Sequence, residues 1–380
     1  MSSVSLSIGK MELHHSLRPV YIFTKIFAHC QYKFDYQRRV YIPDLWAIVY
    51  SILFSLTTCL PFCFEHSFID DFGNVMAYTY SFSFVLYFEL IIVNVIIFMH
   101  LLNVKKTAGV FTKLEEIDEE LAEIVGERID SRPIFKFSIF VITFFVVDSI
   151  FRVIYEFKVF YNDALYYCVS TFWNAILCDI FKVEFCVIMY VPLRRFRLLN
   201  SLFQGLKMRG NGRVIVEKHV EYIETIHAIH NKLCSICLDI NDIFGIPTLL
   251  LFTHAVSSAV IQFYYTFLMR VHFSWKVAAQ VFAILHWTIF RLGSLVIIAL
   301  LYHCILKQVA NMKRTIHNLL HRTQDQSVKA ALEIFALHEM NRNLEFTVCG
   351  LFSVDFRMIQ MAFATIATYV VLLIQLKVVK

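Results

Sequence analysis

The sequence predicts an all-α polytopic membrane protein with seven transmembrane helices, a cytoplasmic N-terminus and a helical cytoplasmic anchor region. Three observations carry that expectation. Of the 380 residues, 58% are hydrophobic and the mean hydropathy is +0.62, more apolar side chain than a soluble chain of this length can bury. Seven runs approach or exceed the roughly 20 residues that cross a hydrocarbon core. Lysine and arginine are divided unevenly, 25 in segments on one side of those runs and five on the other. Excess positive charge stays on the cytoplasmic side, which places the N-terminus inside and the C-terminus outside.

Residues 1–44 are mixed and charged, without the continuous apolar stretch of a cleavable signal, so the first span is expected to direct insertion. The seven-span unit covers residues 45–377. Spans one and two lie at 45–64 and 75–102, followed by a cytoplasmic extension over 103–133. There Leu114, Ile117, Leu121 and Ile124 recur at helical spacing among eight acids. So many acids oppose lying on an anionic leaflet and favour packing in a helical bundle. Spans three and four lie at 134–155 and 164–191, and a second extension over 192–243 repeats the pattern with Val216, Val220, Ile223, Ile226 and Ile229. Spans five and six lie at 244–269 and 277–306, and a third extension covers 307–357. The run from 346 to 377 is too long for one simple crossing, and Asp355-Phe356-Arg357 interrupts it. It is expected to divide into a helix below the membrane and a helix within it over 358–376, anchored by Arg357 and Lys377.

The chain carries no Walker loop, dinucleotide fingerprint, zinc-protease motif or nucleophile elbow. No enzyme activity, no ATP-driven transport and no nucleic-acid partner is expected. The ten cysteines fall mostly inside apolar runs, as small core residues do. Cys234-Ser-Ile-Cys237 has metal-like spacing but no second pair, so neither a metal nor a cofactor is expected.

Polar residues inside spans are the functional candidates, because each is costly without a partner. Tyr87 belongs to span two. Asp148 and Arg152 lie four apart in span three and pair on one face. Trp173 and Asn174 belong to span four, Gln262 and Tyr265 to span five, His286 and Trp287 to span six. All approach a common depth between midplane and outer leaflet. They form either a ligand pocket with aromatic walls and a few polar groups, or a polar seam between packed helices with an interfacial aromatic belt. Asp179, Lys182 and Glu184 are expected to form a structural ion pair where span four leaves the membrane. Arg291 has no local partner, and His254 is expected to serve packing.

Within the last span Thr368 and Gln375 are seven apart and share a face, which Thr365 and Leu372 extend. Tyr369 and Leu376 form the adjacent stripe. This face either bonds a neighbouring helix or lines water, offering hydroxyl and amide dipoles without charge. Thr368-Tyr369, five apolar residues, then Gln375 and Leu376 resemble the Thr-Tyr-(five hydrophobic)-Gln-Phe signature of insect gustatory receptors. Its place at the end of the last of seven spans strengthens the resemblance; Leu376 departs from the usual Phe. The resemblance implies a ligand-gated, non-selective cation channel, assembled as a homo- or hetero-tetramer with related receptor subunits. It also implies a plasma-membrane location in sensory-neuron dendrites, surrounded by membrane lipid. A small-molecule tastant would bind in the outer half of each subunit, a bitter compound sooner than a sugar. The pore would be lined by Thr365, Thr368, Leu372, Gln375 and Leu376. The alternatives are a modulatory subunit that is silent alone and, third, a membrane transporter.

Overall fold

The computed structural model describes residues 10–63, 76–160, 165–205, 213–268, 275–342 and 344–378, with some side chains near the excluded segments also outside the description. Ten helices and four short strands lie among these residues. Each of the seven predicted runs falls on its own helix: α2 (Leu45–Cys63), α3 (Met76–Leu102), α5 (Arg132–Phe160), α6 (Leu165–Gln204), α7 (Arg213–Leu268), α8 (Trp275–Arg322) and α10 (Phe356–Val378). Among the described residues α5, α7, α8 and α10 hold stretches long and apolar enough to cross a membrane. A fifth is added if α3 and the helix bent away from it are taken as one span, while the apolar part of α2 is shorter, Leu45–Cys59.

The spine is three helices that outrun any bilayer. α6, α7 and α8 hold 40, 56 and 48 residues. At about 1.5 Å per residue they reach roughly 60–85 Å, against roughly 30 Å of hydrocarbon. Their excess length forms a bundle end with α1 (Leu13–Ile26), α4 (Val104–Val125) and α9 (Gln326–Asn341). α4 turns 66° away from α3 and ends at Gly126, whose φ of 75° suits a residue without a Cβ. Its Leu114, Ile117 and Leu121 are fully buried, as their spacing predicts. Three of its acids are taken by neighbouring bases: Asp118 by Arg195 of α6 at 2.6 Å, Glu119 by Arg39 at 2.7 Å, Glu120 by Lys232 of α7. α4 is thus a packed layer of the bundle. Ile223, Ile226 and Ile229 of α7 are likewise buried, while the Val216 side chain lies outside the description.

Aromatic rings knit the spine together. Phe185 of α6 meets Phe244 of α7 at 5.4 Å and Tyr302 of α8 at 5.5 Å. Tyr302 in turn meets Phe346 at 4.2 Å. Phe346 leads into a hairpin, β3 (Thr347–Val348) and β4 (Phe352–Ser353). The expected helix ahead of Asp355 is therefore replaced by strands. Cys349 and Gly350 both take positive φ, 51° and 71°, a conformation no right-handed helix tolerates. The predicted break itself is present. The Asp355 carboxylate accepts from the backbone N–H groups of Arg357 at 2.9 Å and Met358 at 3.0 Å, starting α10 as a helix cap. A second hairpin, β1 (Tyr32–Asp35) with β2 (Val40–Pro43), covers α4 through Tyr32, Tyr41 and Phe111.

Candidate functional site

Five helices each send a charged or titratable side chain into the interior between α3 and α8. Arg152 of α5 lies between two carboxylates, Asp148 one turn earlier at 2.7 Å and Asp179 of α6. Lys182, one turn on from Asp179, holds the other oxygen of that carboxylate at 2.8 Å. Glu89 of α3 pairs with Arg291 of α8 and stands 3.5 Å from His254 of α7. His286 of α8 stands 3.5 Å from Asp148. The Arg152 guanidinium rests 5.2 Å over the Phe290 ring, a stacking that suits a planar cation.

Apart from the histidines, Glu89, Asp148 and Asp179 are matched by Arg152, Lys182 and Arg291. Unpaired charge in an apolar interior is expensive, and matched charge much less so. The network therefore fixes the relative rotation of α3, α5, α6, α7 and α8. Between its two halves remains a cavity of about 20 Å³, bounded by Glu89, Arg152, Asp179, Lys182, His254 and Arg291. That is room for about one water molecule, and too little for an organic ligand in this conformation.

α10 is covered differently. Met358, Ala362 and Ile366, spaced four apart, are buried against α7 and α8. From Ala367 to Leu376 no residue is buried. Tyr369, Val371, Leu372 and Leu376 stand 48–61% exposed, Thr368 and Gln375 are exposed and Thr365 is partly so. The Thr368 hydroxyl donates to the Ala364 carbonyl at 2.9 Å, so its proton is satisfied within the helix. An apolar half-helix is thus left for lipid or another chain to cover.

A family profile described as 7tm Chemosensory receptor matches residues 17–380. The chain belongs to that family. The fold agrees: this chemosensory receptor is similar to the insect olfactory receptor OR5 from Machilis hrabei, with a TM-score of 0.67 at 13% identity over 96% of this chain and 98% of that one. It is similar to the same receptor in complex with eugenol, with a TM-score of 0.64 at 14% identity over the same shares. A comparison with curated protein sequences found no match. The family is one of receptors and not of enzymes.

In the chemosensory receptor Asp148, Arg152 and His286 come together in the charge network. Gln262 accepts a hydrogen bond from Thr288, joining α7 to α8. Trp173 packs 6.1 Å from Phe27 and 5.9 Å from Phe54, while its neighbour Asn174 is buried, 1% exposed. Tyr87 is 37% exposed on α3 and Trp287 half-buried on α8. The Tyr265 side chain lies outside the described residues. The structure adds partners on other helices. Arg291 finds its partner on α3, a distance in sequence that spacing along one helix never reveals. Asp179 and Lys182 do pair, but Asp179 also joins Arg152, and Glu184 turns away toward His100 at 3.7 Å. His254, expected only to pack, borders Glu89. The signal available was a balance of unlike charges spread over different spans, with Glu89 and Arg291 each lacking a mate on its own helix.

Proposed function

We propose that this receptor is a gustatory, ligand-gated, non-selective cation channel, with the uncovered half of α10 as its pore lining. The observation that carries the reading is the run Ala367–Leu376, apolar apart from Thr368, Tyr369 and Gln375 and without a buried residue. Four copies around an axis would cover that surface and repeat Thr365, Thr368, Leu372, Gln375 and Leu376 as rings. A leucine ring closes a narrow pore by dewetting, and a glutamine ring offers amide oxygens to a partly dehydrated cation. The charge asymmetry supports a cytoplasmic bundle end and N-terminus with the C-terminus outside, and the resemblance to gustatory receptors supports the plasma membrane of a sensory dendrite.

The ligand is a small molecule, a bitter compound sooner than a sugar. It would bind among Tyr87, Trp173, Asn174, Gln262, Tyr265, His286 and Trp287, above the Asp148–Arg152 pair. That a receptor of similar fold is solved with eugenol supports a small-molecule ligand. A modulatory subunit of the same fold, silent alone, is the second reading; α10 presents the same uncovered surface to unlike subunits. Expression alone in a heterologous cell, with current recorded across a tastant panel, separates the two. Current evoked by one compound supports the homomeric channel. Silence alone, with current restored by a related subunit, supports the modulatory role.

A further inference from the structure

Where the N-terminal segment meets the spine, three buried side chains converge, two of them without hydrogen-bond partners. His29 lies in the link after α1, His100 in the last turn of α3, and Glu184 midway along α6. They are 0%, 3% and 2% exposed, and one donor atom from each lies within 4.8 Å of the others. Neither ring nitrogen of His29 and neither oxygen of Glu184 has a hydrogen-bond partner. The closest approach, His100 Nε2 to Glu184 Oε2, is 3.7 Å, beyond the range in which a shared proton makes a bond. Four buried polar atoms without partners in one place are a heavy cost unless something joins them.

We propose that His29, His100 and Glu184 bind a divalent d-block cation of the zinc class. Two imidazoles with one carboxylate is a donor set that zinc accepts, leaving a fourth position for water, whereas calcium and magnesium prefer oxygen alone. Bonds of about 2.0–2.1 Å in a tetrahedron need donors roughly 3.3 Å apart, so the three side chains close in by about an ångström on binding. The His29 backbone is held for this purpose. Ala28 takes a φ of 64°, and its carbonyl accepts from the Gln31 side-chain amide at 2.7 Å and the Ser51 hydroxyl at 2.9 Å. The His100 ring is wedged edge-on between Phe181 and Phe244. A cavity of about 290 Å³ beneath α1 has Glu184 in its wall, so the cluster lies one side chain away from it. Bound there, the ion ties the N-terminal segment to α3 and α6, the helices that also carry Glu89 and Asp179.

The test uses the full chain in lipid nanodiscs, stripped with chelator and reloaded with zinc chloride. The wild type is expected to take up about one zinc per chain, to melt higher with zinc than with chelator, and to give a visible d–d band with cobalt. Glu184→Gln and His29→Ala are expected to weaken zinc at least about 10–100-fold. A double variant, His14→Ala with His15→Ala, tests the surface cluster of Glu12, His14 and His15 and is expected to bind as the wild type does. Wild-type protein that takes up no zinc and shows no cobalt band overturns the proposal, and it does so even where a variant fails to fold. Equal binding by Glu184→Gln, or loss confined to the His14/His15 variant, overturns it as well.

Discussion

Arg152 is the residue whose removal isolates the most charge. With Asp148 and Asp179 both against it, Arg152→Ala leaves two carboxylates in an apolar interior with Lys182 left as the cation beside them, a loss of about 3–5 kcal/mol. Thermal unfolding in detergent should show a lowered midpoint and cell-surface labelling a reduced yield. Arg152→Ala combined with Asp148→Asn leaves Asp179 paired with Lys182 and should recover part of that loss, since removing a matched charge pair is milder than breaking it. A double variant no better than Arg152→Ala alone would refute the network as an electrostatic unit. Ligand contacts belong to this scale too. Trp173→Ala, Gln262→Ala and Trp287→Ala each remove a packing or hydrogen-bonding group. A lost buried hydrogen bond of about 1–3 kcal/mol shifts the half-maximal tastant concentration about five- to over a hundredfold. Unmoved dose–response curves at normal surface expression would place the pocket elsewhere.

At the scale of elements, the bundle end holds a buried pair whose pH dependence has a defined sign. His230 lies on the part of α7 below its apolar run, and its Nδ1 stands 3.0 Å from Glu339 of α9, with both side chains almost fully buried. Burial alone would push His230 down, but contact with Cys234 and Glu339 outweighs it and raises the pKa to about 9. Burial would push Glu339 up, and His230 holds it below its ordinary value. The histidine contribution is complete below about pH 6.5 and is lost as pH rises through about 9; the glutamate contribution is present above its ordinary value and is lost as pH falls below it. The thermal midpoint should therefore fall between pH 6.5 and 9, and Glu339→Gln should flatten that slope. An unchanged slope in the variant would refute the pair. On α10, Asp355→Ala removes the cap and should cost about 1 kcal/mol, seen as a lowered melting midpoint. Leu376→Ala should widen the proposed closed ring and raise current without ligand; unchanged resting current at normal expression would count against a gate there.

For the whole molecule, periodicity and hydropathy made the long-range plan legible. Seven apolar runs fall on seven helices, and the buried rows of α4 and α7 follow from spacing alone. The two hairpins were hidden because β1, β2, β3 and β4 are two to four residues each, and the turn at Cys349-Gly350 depends on backbone angles more than on pattern. Site chemistry was legible within a helix, as in Asp148 with Arg152, and illegible between helices. Glu89 with Arg291, or His29 with His100 and Glu184, are joined only by tertiary packing. Topology is tested at this scale: an epitope after Lys380 should be reached by antibody on intact cells and an N-terminal epitope should not, and the reverse pattern would sink the proposed orientation.

If the uncovered half of α10 lines a cation path, the reversal potential of Gln375→Glu reports it. A carboxylate ring in place of an amide ring adds negative charge where a cation sheds water. With calcium outside and sodium inside, the tastant-evoked current of the variant should reverse at a more positive potential than that of the wild type. The same reversal potential in both, with the variant expressed normally at the surface, would mean that this stripe binds neighbouring helices and that the ions pass elsewhere.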